Sequence, residues 1–438
     1  IKMTEFKGFF SLKKKAYKRA VNGYIPKSVI IPLRQDFKED CKLLVNLGDS
    51  VEEGHLIARF DRDGKNPSTV FSPVPGIVEN IELSPSPDGF YSKAVRIRTF
   101  GKFKFLGKKK SEVDWKSLTS YSIKNSISEF SIMNTFNTAK PSLLSDEIDE
   151  FINLKQKIIV VRLFDDDVTR ISDSLISEFF LKEVLEGAEI LKKAANAERI
   201  VFALDKKFAK KDEIALDSDF KTVCFDSSVF PNGFEENLIF QIRKVLTDEK
   251  YQCVSKKDLF VDSSTLLELY RCIKFNMPVI DRYVHVSGSC IPVSGMIKVP
   301  LGTTIRFLAE QCGGFIKQPC AVIVNGLVSG FSSSSLDSPV TKYVKSVTFI
   351  PFVHKPLQKA SECIRCGSCR RVCPLNLYPD ILYRHVSGGA IAQIEYLKTA
   401  QFCSDCGLCN SYCPSRLPIS QKIAEIKKNF HYNSGEEK

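Results

Sequence analysis

The chain has 438 residues, 43% of them hydrophobic and 26% charged, which is enough apolar material for roughly three domains with cores of their own. This composition excludes a disordered protein, and no apolar run approaches the roughly 20 residues of a transmembrane helix. The net charge of +12 favours acidic partners, but the basic residues accompany no nucleic-acid-binding motif, so we predict no nucleic acid partner.

Residues 1–110 have the pattern of a small β domain. The turn segments 46–54 and 71–78 resemble those of a biotinyl or lipoyl type barrel-sandwich hybrid. The nearest lysine to a lipoyl position, Lys65, lacks the usual flanking residues, so we predict a scaffold without a lipoyl group. Predicted strands, separated by Gly, Pro and Asp turns, lie at 29–33, 41–45, 56–60 and 76–81.

Residues 111–280 alternate between strand and helix patterns. The apolar runs 158–163 and 199–204 predict buried strands. The amphipathic stretches 174–191 and 232–246 predict one helix each. Because strands and helices that alternate along a chain are typical of an open sheet covered by helices, we predict an α/β domain.

Residues 281–352 return to a strand pattern. Two predicted strands, one helix and a third strand follow each other, and this order is typical of a β-grasp domain. The serine-rich stretch 329–335 is predicted to be a flexible loop. The predicted elements lie, in order, at 282–288, 295–302, 304–314 and 320–326.

The 15 cysteines fall into two compact groups near the C-terminus and a scattered remainder. The first 25 residues are basic and contain no apolar core, so we expect no secretory signal and no disulfide framework. We predict that the scattered cysteines are reduced thiols buried among apolar neighbours. These are Cys41, Cys224, Cys253, Cys272, Cys290, Cys312 and Cys320.

A duplicated cysteine run in residues 353–438 is the strongest chemical signal. Every cysteine of the first run recurs 40 residues later, as does the proline after its last cysteine. The spacing is that of bacterial ferredoxins with two [4Fe–4S] clusters, in which the fourth cysteine of each run binds the other cluster. We therefore predict an α-helical, ferredoxin-like domain with two [4Fe–4S] clusters. The predicted ligands are Cys363, Cys366, Cys369 and Cys413 for one cluster, and Cys403, Cys406, Cys409 and Cys373 for the other.

Two zinc sites are the alternative interpretation of these cysteines. Structural zinc usually takes two separated pairs of ligands, and a third cysteine followed by Cys-Pro has no purpose in a tetrahedral site. The spacing therefore favours iron–sulfur clusters. Arg365, Arg370 and Arg371 would add positive charge around an anionic cluster and raise its reduction potential.

With these segments in order, the chain resembles the RnfC family, the C subunits of the Rnf complex, an ion-translocating electron-transport complex of bacterial membranes. The resemblance implies a peripheral subunit at the cytoplasmic face of the inner membrane, with the membrane subunits of that complex as partners. It rests on both cysteine runs, on the barrel-sandwich turns and on the segments 6–8, 230–235, 277–282, 299–302, 325–330 and 339–342.

One departure from the family concerns its flavin site. The family resembles the FMN- and NADH-binding subunit of respiratory complex I, which holds these groups over a glycine-rich loop. Glycine is needed there because only a backbone without side chains approaches a phosphate closely. The corresponding stretch 124–141 contains no glycine, and none occurs between Gly107 and Gly187. We therefore predict that FMN and NADH are not bound.

The family's acidic segment is likewise replaced, here by residues 162–168. Asp165, Asp166 and Asp167 could be read as flavin contacts, but we interpret them as a solvated charge run at the end of a strand.

Two functions of different classes fit these features. The favoured one is an electron-transfer subunit of a translocase, without an NADH dehydrogenase site of its own, because two clusters with crossed ligands form a relay. Its donor would be an acidic soluble carrier, a ferredoxin or flavodoxin, steered to a basic face. The other is a non-catalytic scaffold or an iron–sulfur redox sensor, and a dehydrogenase subunit with its own flavin is disfavoured by the missing glycines. The predicted docking residues are Arg365, Arg370, Arg371 and Arg384.

Overall fold

The computed structural model describes residues 20–34, 42–62, 66–154, 157–215, 220–352, 359–388 and 394–433. Cys41, Lys65 and the segment 6–8 lie outside these residues. The chain divides into two compact units, Ile1–Phe352 and Val353–Lys438. Within the described part of the chain, no helix has both the length and the apolar character needed to cross a membrane.

The described residues in the first part of the larger unit form eight strands. They are β1 (Val21–Asn22), β2 (Ser28–Pro32), β3 (Lys42–Leu43), β4 (Ser50–Val51), β5 (Leu56–Phe60), β6 (Ser68–Phe71), β7 (Gly76–Pro85) and β8 (Tyr91–Thr99). Strands β2 to β8 form two antiparallel sheets, with the orders β2-β8-β7-β4 and β3-β5-β6, whereas β1 joins the mixed sheet described below. Val29, Ile57 and Ile97 belong to their common apolar cluster and are fully buried. Gly76 is needed at the start of β7 because a Cβ atom there would lie 2.1 Å from the carbonyl oxygen of Arg98.

The next part is an open parallel sheet with helices. Its elements are α1 (Ser120–Glu129), β9 (Met133–Asn134), β10 (Ser142–Leu143), α2 (Leu144–Ile152), β11 (Ile158–Arg162), α3 (Ser172–Phe179), α4 (Leu181–Ala194), β12 (Arg199–Asp205), α5 (Lys211–Ala215), β13 (Phe220–Phe225), α6 (Glu235–Val245), α7 (Glu249–Gln252), β14 (Leu259–Asp262) and α8 (Ser263–Phe275). The strand order is β13-β12-β11-β14, and all neighbours are parallel. Every residue of β11 is buried, as expected for a strand covered on both faces. The predicted α/β architecture is therefore confirmed, with β13 and β14 as strands that the sequence patterns missed.

The single helix predicted over 174–191 is wrong, because the structure contains two helices there. Phe180 separates α3 from α4 with φ −128° and ψ 36°, which are not helical values. Its ring packs against the ring of Tyr283, with 4.8 Å between the ring centroids. The helix is thus interrupted at a residue whose side chain packs against a distant part of the chain. The amphipathic pattern alone does not reveal this interruption.

The last part of the larger unit is a mixed sheet. It consists of β15 (Asp281–Gly288), β16 (Gly295–Pro300), α9 (Ile305–Gln311), β17 (Pro319–Val324), β18 (Phe331–Ser333) and β19 (Ser346–Pro351). The sheet order is β1-β16-β15-β19-β17-β18. The central strands β15 and β19 are parallel, whereas β15 and β16 form an antiparallel hairpin. The prediction of a flexible loop at 329–335 is wrong for residues 331–333, which form β18 and pair antiparallel with β17 through backbone hydrogen bonds that do not depend on the serine side chains.

The smaller unit is helical. Its helices are α10 (Ser368–Val372), α11 (Pro379–Val386), α12 (Ile394–Lys398), α13 (Leu408–Ser411) and α14 (Ile419–Asn433), and a 3₁₀ turn covers Thr399–Phe402. Leu382, Ala400, Leu417 and Ile423 form its apolar core, and several of the predicted cluster cysteines pack against them.

Candidate metal centre

The two cysteine runs fold alike. The helices of the first run, α10 and α11, begin 40 residues before their counterparts α13 and α14. Matched residues also share unusual backbone angles in the left-handed region. The φ values are 55° at both Arg365 and Asp405, 72° and 69° at Gly367 and Gly407, and 51° and 53° at Asn376 and Arg416. The duplicated sequence therefore encodes a duplicated loop-and-helix structure.

The first predicted ligand set surrounds one cavity. Cys363, Cys366 and Cys369 of the first run line it together with Cys413 of the second run. Cys369 is buried, whereas Cys366 is exposed. The structure thus brings together the four thiols that the crossed pattern predicts, although they are up to 50 residues apart in sequence.

The second predicted set lies deeper in the unit. Burial raises the pKa of Cys403 to about 11, and burial together with the neighbouring thiols Cys406 and Cys403 raises that of Cys409 to about 12. Burial also raises the pKa of Cys406, and Cys373 of the first run is near enough to raise it further. The fourth cysteine of the first run therefore lies beside the second set.

The donor set fits an iron–sulfur cluster. Four cysteine thiolates are the usual ligands of a [4Fe–4S] cluster, and the Asp380 carboxylate that also lines the cavity is paired with Arg370. Among the residues that the structure describes, no three or more His, Cys, Asp or Glu side chains are arranged around a single metal ion. A [4Fe–4S] cluster has four irons, and each thiolate binds a different one, so its ligands need not converge on one point.

The basic residues near the first run differ in whether they pair with an acidic side chain. The Arg370 side chain donates to both carboxylate oxygens of Asp380, and Arg384 lies 3.7 Å from the same carboxylate. Burial opposes ionisation of Asp380, but the hydrogen bonds from Arg370 hold its pKa below the usual value. Arg365 and Arg371 are exposed. Arg370 and Arg384, two of the four predicted docking residues, are therefore partly neutralised by the same aspartate.

The contacts around the second run differ from those around the first. The Lys427 ammonium lies 2.6 Å from the Asp405 carboxylate and also donates to the carbonyl oxygen of Cys403. Sequence reasoning missed this lysine. Alignment of the two runs at a spacing of 40 residues would have drawn attention to the contrast between Arg365 and Asp405, since all the cysteines match.

The interpretation of the acidic run in the larger unit as solvated is wrong. Asp165, Asp166 and Asp167 are only 5%, 7% and 0% exposed. Arg170, itself buried, donates to Asp165 at 2.8 Å and to Asp166. Burial opposes the ionisation of Asp166, but Arg170 and Arg162 hold its pKa below the usual value. The run is a buried ionic network rather than a surface charge cluster.

This network extends to neighbouring elements at the carboxyl ends of β11 and β14. Lys345, which precedes β19, lies 2.8 Å from Asp173 and also binds Asp262 at the end of β14. Asp167 accepts hydrogen bonds from the backbone amides of Val328 and Ser329 at 2.8 and 2.7 Å. In an open α/β sheet the crevice beyond these strand ends is the usual ligand site. Here the space is filled by paired side chains.

The stretch that corresponds to the family's glycine-rich loop is also occupied by side chains. Ser126 and Ser128 lie in α1, and Asn134 is buried and donates to the carbonyl oxygen of Phe260 at 2.7 Å. The Arg162 guanidinium stacks over the ring of Phe136 at 4.0 Å. A cavity of about 550 Å³ lies beside these residues, and its lining includes Asn134 and Phe136.

A carboxylate in the wall of this cavity has an unusual environment. Glu147 accepts a hydrogen bond from Asn134 at 2.6 Å and another from Ser142. Burial raises the pKa of Glu147 to about 7, and the two hydrogen bonds, which favour the ionised form, offset only part of this effect. Glu147 therefore titrates close to neutral pH.

The scattered cysteines are only partly as predicted. Cys272, Cys290 and Cys312 are buried, which confirms the prediction for them, whereas Cys224 is only partly buried. Cys253 and Cys320 are exposed, so the prediction of burial is wrong for these two. Both occupy polar positions, where their thiols donate to backbone carbonyl oxygens, of Lys250 and Pro351 respectively.

Comparison with known proteins adds two domain matches. Residues 10–102 match a family model described as the RnfC barrel sandwich hybrid domain, and residues 359–417 match a 4Fe-4S dicluster domain. These matches confirm the predicted barrel-sandwich hybrid and support iron–sulfur clusters in the smaller unit.

Curated relatives cover most of the chain. The C subunit of a proton-translocating ferredoxin:NAD(+) oxidoreductase complex from Clostridium ljungdahlii is 26% identical over 82% of this chain and 78% of its own length. The C subunit of an ion-translocating oxidoreductase complex from Haemophilus influenzae is 23% identical over 81% of this chain and 43% of its own length. The corresponding Rhodobacter capsulatus protein is 22% identical over 83% and 71%. The chain thus spans about half the length of the Haemophilus relative.

Among solved structures, an NAD+-reducing [NiFe]-hydrogenase in the air-oxidized state is similar at 12% identity and a TM-score of 0.47, over 73% of this chain and 63% of that one.

A barrel-sandwich hybrid followed by a dicluster domain defines an iron–sulfur subunit of a larger redox assembly. More specifically, the chain is similar to the RnfC family, the C subunits of ion-translocating oxidoreductase complexes, in its N-terminal domain match and in its curated relatives.

Proposed function

We propose that this chain is the peripheral electron-transfer subunit of an Rnf-type complex and that it passes electrons from a soluble carrier through two [4Fe–4S] clusters. The observation that carries this proposal is the cavity at which Cys413 of the second run joins Cys363, Cys366 and Cys369 of the first. Crossed ligation holds two clusters close together, which an electron relay requires and a structural role does not.

The protein's part in this function is to supply ligands and surroundings. The first cluster is bound by Cys363, Cys366, Cys369 and Cys413, and the second by Cys403, Cys406, Cys409 and Cys373. Each cysteine binds as a thiolate, so assembly releases the protons that burial retains on Cys403 and Cys409 in the free protein. Once bound, the clusters supply one-electron transfer.

The electron donor is proposed to be a small acidic carrier, a ferredoxin or a flavodoxin. Arg365 and Arg371 are exposed beside the first cysteine run, and they provide the positive charge that steers such a carrier. Arg370 and Arg384 contribute less because Asp380 neutralises part of their charge.

Stopped-flow reduction of the full chain by reduced flavodoxin tests this proposal. We expect the second-order rate constant to fall as ionic strength rises, and to fall at low salt in Arg371→Gln and in Arg365→Asn, where asparagine tolerates the positive φ. Arg306→Gln is the matched control, since Arg306 is a half-exposed arginine of the larger unit. Rates that do not depend on salt, or that fall equally in the control, would contradict docking at this face.

We also propose that the α/β part binds neither FMN nor NADH. The lack of glycine between Gly107 and Gly187 and the buried network at the ends of β11 and β14 support this proposal. A phosphate would have to displace paired charges, whose separation is costly. Reconstitution with FMN followed by gel filtration is the test, and co-elution of one flavin per chain that NADH bleaches would contradict it.

The remaining assignments complete the proposal. We infer that the chain sits at the cytoplasmic face of the inner membrane and is held there by membrane subunits of the complex.

Residues 281–352 are proposed to be a β-grasp domain. They contain a hairpin, a helix and a parallel pair of central strands, and the sheet has the order β16-β15-β19-β17-β18.

A redox sensor or scaffold is the second candidate function. The exposure of Cys366 favours it, because an accessible ligand is open to oxidants. Carrier-driven reduction separates the two functions: a relay is reduced rapidly and reoxidised by a second carrier without loss of iron. A sensor instead loses its cluster or its partner when oxidised.

A further inference from the structure

The two cysteine runs share a backbone but differ in the side chains closest to the cysteines. Most matched positions between the cysteines carry different side chains. Among them, Arg365, Ser368 and Arg371 of the first run correspond to Asp405, Leu408 and Ser411 of the second.

The first difference is the position of the serine that hydrogen-bonds to a ligand sulfur. Cys366 Sγ and Ser368 Oγ are hydrogen-bonded at 3.4 Å. When Cys366 is a thiolate the sulfur only accepts, so the serine hydroxyl donates to it. At the matched position the second run has the buried apolar side chain of Leu408, and Ser404 instead supplies the side-chain hydrogen bond to Cys406, so each run provides one serine contact to this cysteine.

The second difference is charge. Arg371 donates to the carbonyl oxygen of Cys366 at 3.3 Å and to Ser368 Oγ at 3.0 Å, so its guanidinium lies against the first cysteine loop. The second run has the neutral Ser411 in its place. Asp405 contributes a negative charge there, which Lys427 balances at 2.6 Å. The first loop is therefore surrounded by net positive charge and the second by a balanced pair.

The third difference is contact with water. Cys366 is exposed, whereas its counterpart Cys406 is only 7% exposed. Cluster potentials depend on net charge, on hydrogen bonds to the sulfurs and on solvent exposure. Reduction adds one negative charge to a cluster, and positive charge, a donated hydrogen bond and water all stabilise that charge. The differences in charge and in exposure therefore act in the same direction, whereas the serine hydrogen bonds of the two runs balance each other.

We propose that the two clusters have different reduction potentials, and that the cluster bound by Cys363, Cys366, Cys369 and Cys413 has the higher one. This inference rests on the ligand assignment of the proposed function. One electron supplied to the oxidised protein reduces this cluster and leaves the other oxidised. The electron thus resides beside the exposed Arg365 and Arg371, and onward transfer to the second cluster is the energetically uphill step.

Redox titration of the full chain, with both clusters followed by electron paramagnetic resonance, tests the proposal. We expect two separate one-electron steps. Arg371→Ser, which copies the second run into the first, should lower the upper step more than the lower one. The matched variant Ser411→Arg copies the first run into the second and should raise the lower step more than the upper one. Both side chains are exposed, so neither change opens a cavity.

The outcomes separate this inference from the ligand assignment. Suppose that the chain contains iron and sulfide for two clusters. A single titration step would then overturn the inference and leave the proposed function intact. So would an effect of Arg371→Ser that falls mainly on the lower step. A chain that assembles no clusters would overturn both.

Discussion

The Arg370 guanidinium binds both carboxylate oxygens of Asp380, with 2.7 Å from Nη2 to Oδ2, and thereby ties α10 to α11. At the matched positions of the second run, Asn410 accepts from the backbone amide of Ser420 at 2.8 Å and ties α13 to α14. The same connection between a cysteine helix and the following helix is therefore ionic in one half of the unit and neutral in the other.

Asp380→Asn is expected to destabilise the smaller unit by about 1 kcal/mol at pH 7, because it removes charged hydrogen bonds to an arginine that remains partly exposed. The pKa of Asp380 is lowered in the folded chain, so its contribution is complete above the unfolded pKa and is lost as the pH falls through the folded pKa. Urea unfolding at pH 7 and at pH 3, followed by circular dichroism, measures the difference. Glu425→Gln, which breaks a half-exposed pair with Lys422, is the control and should cost less; an equal loss in both variants would contradict the account.

Arg170→Met should destabilise the larger unit strongly. Removal of Arg170 from this buried network takes the cation from Asp165 and leaves Asp166 with only the longer contact to Arg162 at 3.5 Å, at a cost of about 3 kcal/mol or more. The single tryptophan, Trp115, is buried in this unit and reports its unfolding in urea by fluorescence. Arg306→Met at the exposed pair with Asp337 should change stability by less than about 0.5 kcal/mol, and a similar loss in both variants would show that the network is not structural.

Glu147→Gln should change the pH dependence of stability. Burial raises the pKa of Glu147 in the folded chain to about 7. Between the usual pKa of a glutamate and pH 7, Glu147 is therefore protonated in the folded chain but ionised in the unfolded chain. Stability therefore falls as the pH rises across this window. The variant, which cannot ionise, should gain about 2 kcal/mol relative to the native chain between pH 5 and pH 8. Urea unfolding followed by Trp115 fluorescence checks this, and a difference that does not vary with pH would contradict it.

Cys373→Ser should damage the cluster whose other ligands are Cys403, Cys406 and Cys409, although Cys373 belongs to the first run. We expect about half of the iron and one of the two reduced-state resonance signals to be lost or altered. Cys253→Ser, at an exposed thiol of the larger unit, is the control and should retain all of the iron. Crossed ligation would be wrong if Cys373→Ser altered the signal that Arg371→Ser shifts.

The sequence predicted the parts of the structure that depend on local pattern. The buried strand at 158–163 and the spacing of Cys363 and its neighbours are visible in short windows, and β11 and the duplicated loops appear where expected. The grouping of Cys413 with the cysteines of the first run was expected from the bacterial ferredoxin spacing, in which the fourth cysteine of each run serves the other cluster.

The burial of Asp165, Asp166 and Asp167 was not predictable in this way. Their partner Arg170 is close in sequence, but Lys345, which completes the network through Asp173, is 172 residues from that aspartate. From the sequence alone, a run of three aspartates is expected to be exposed to solvent. Its burial follows only from the position of these cations in the fold. The break at Phe180 likewise coincides with a contact to Tyr283 that no local window contains.

Analysis of iron, acid-labile sulfide and zinc in the anaerobically purified chain tests the central claim most directly. The account predicts about eight irons and about eight sulfides per chain, with broad visible absorbance that dithionite bleaches. Stoichiometric zinc at these cysteines, with neither sulfide nor visible absorbance, would contradict it.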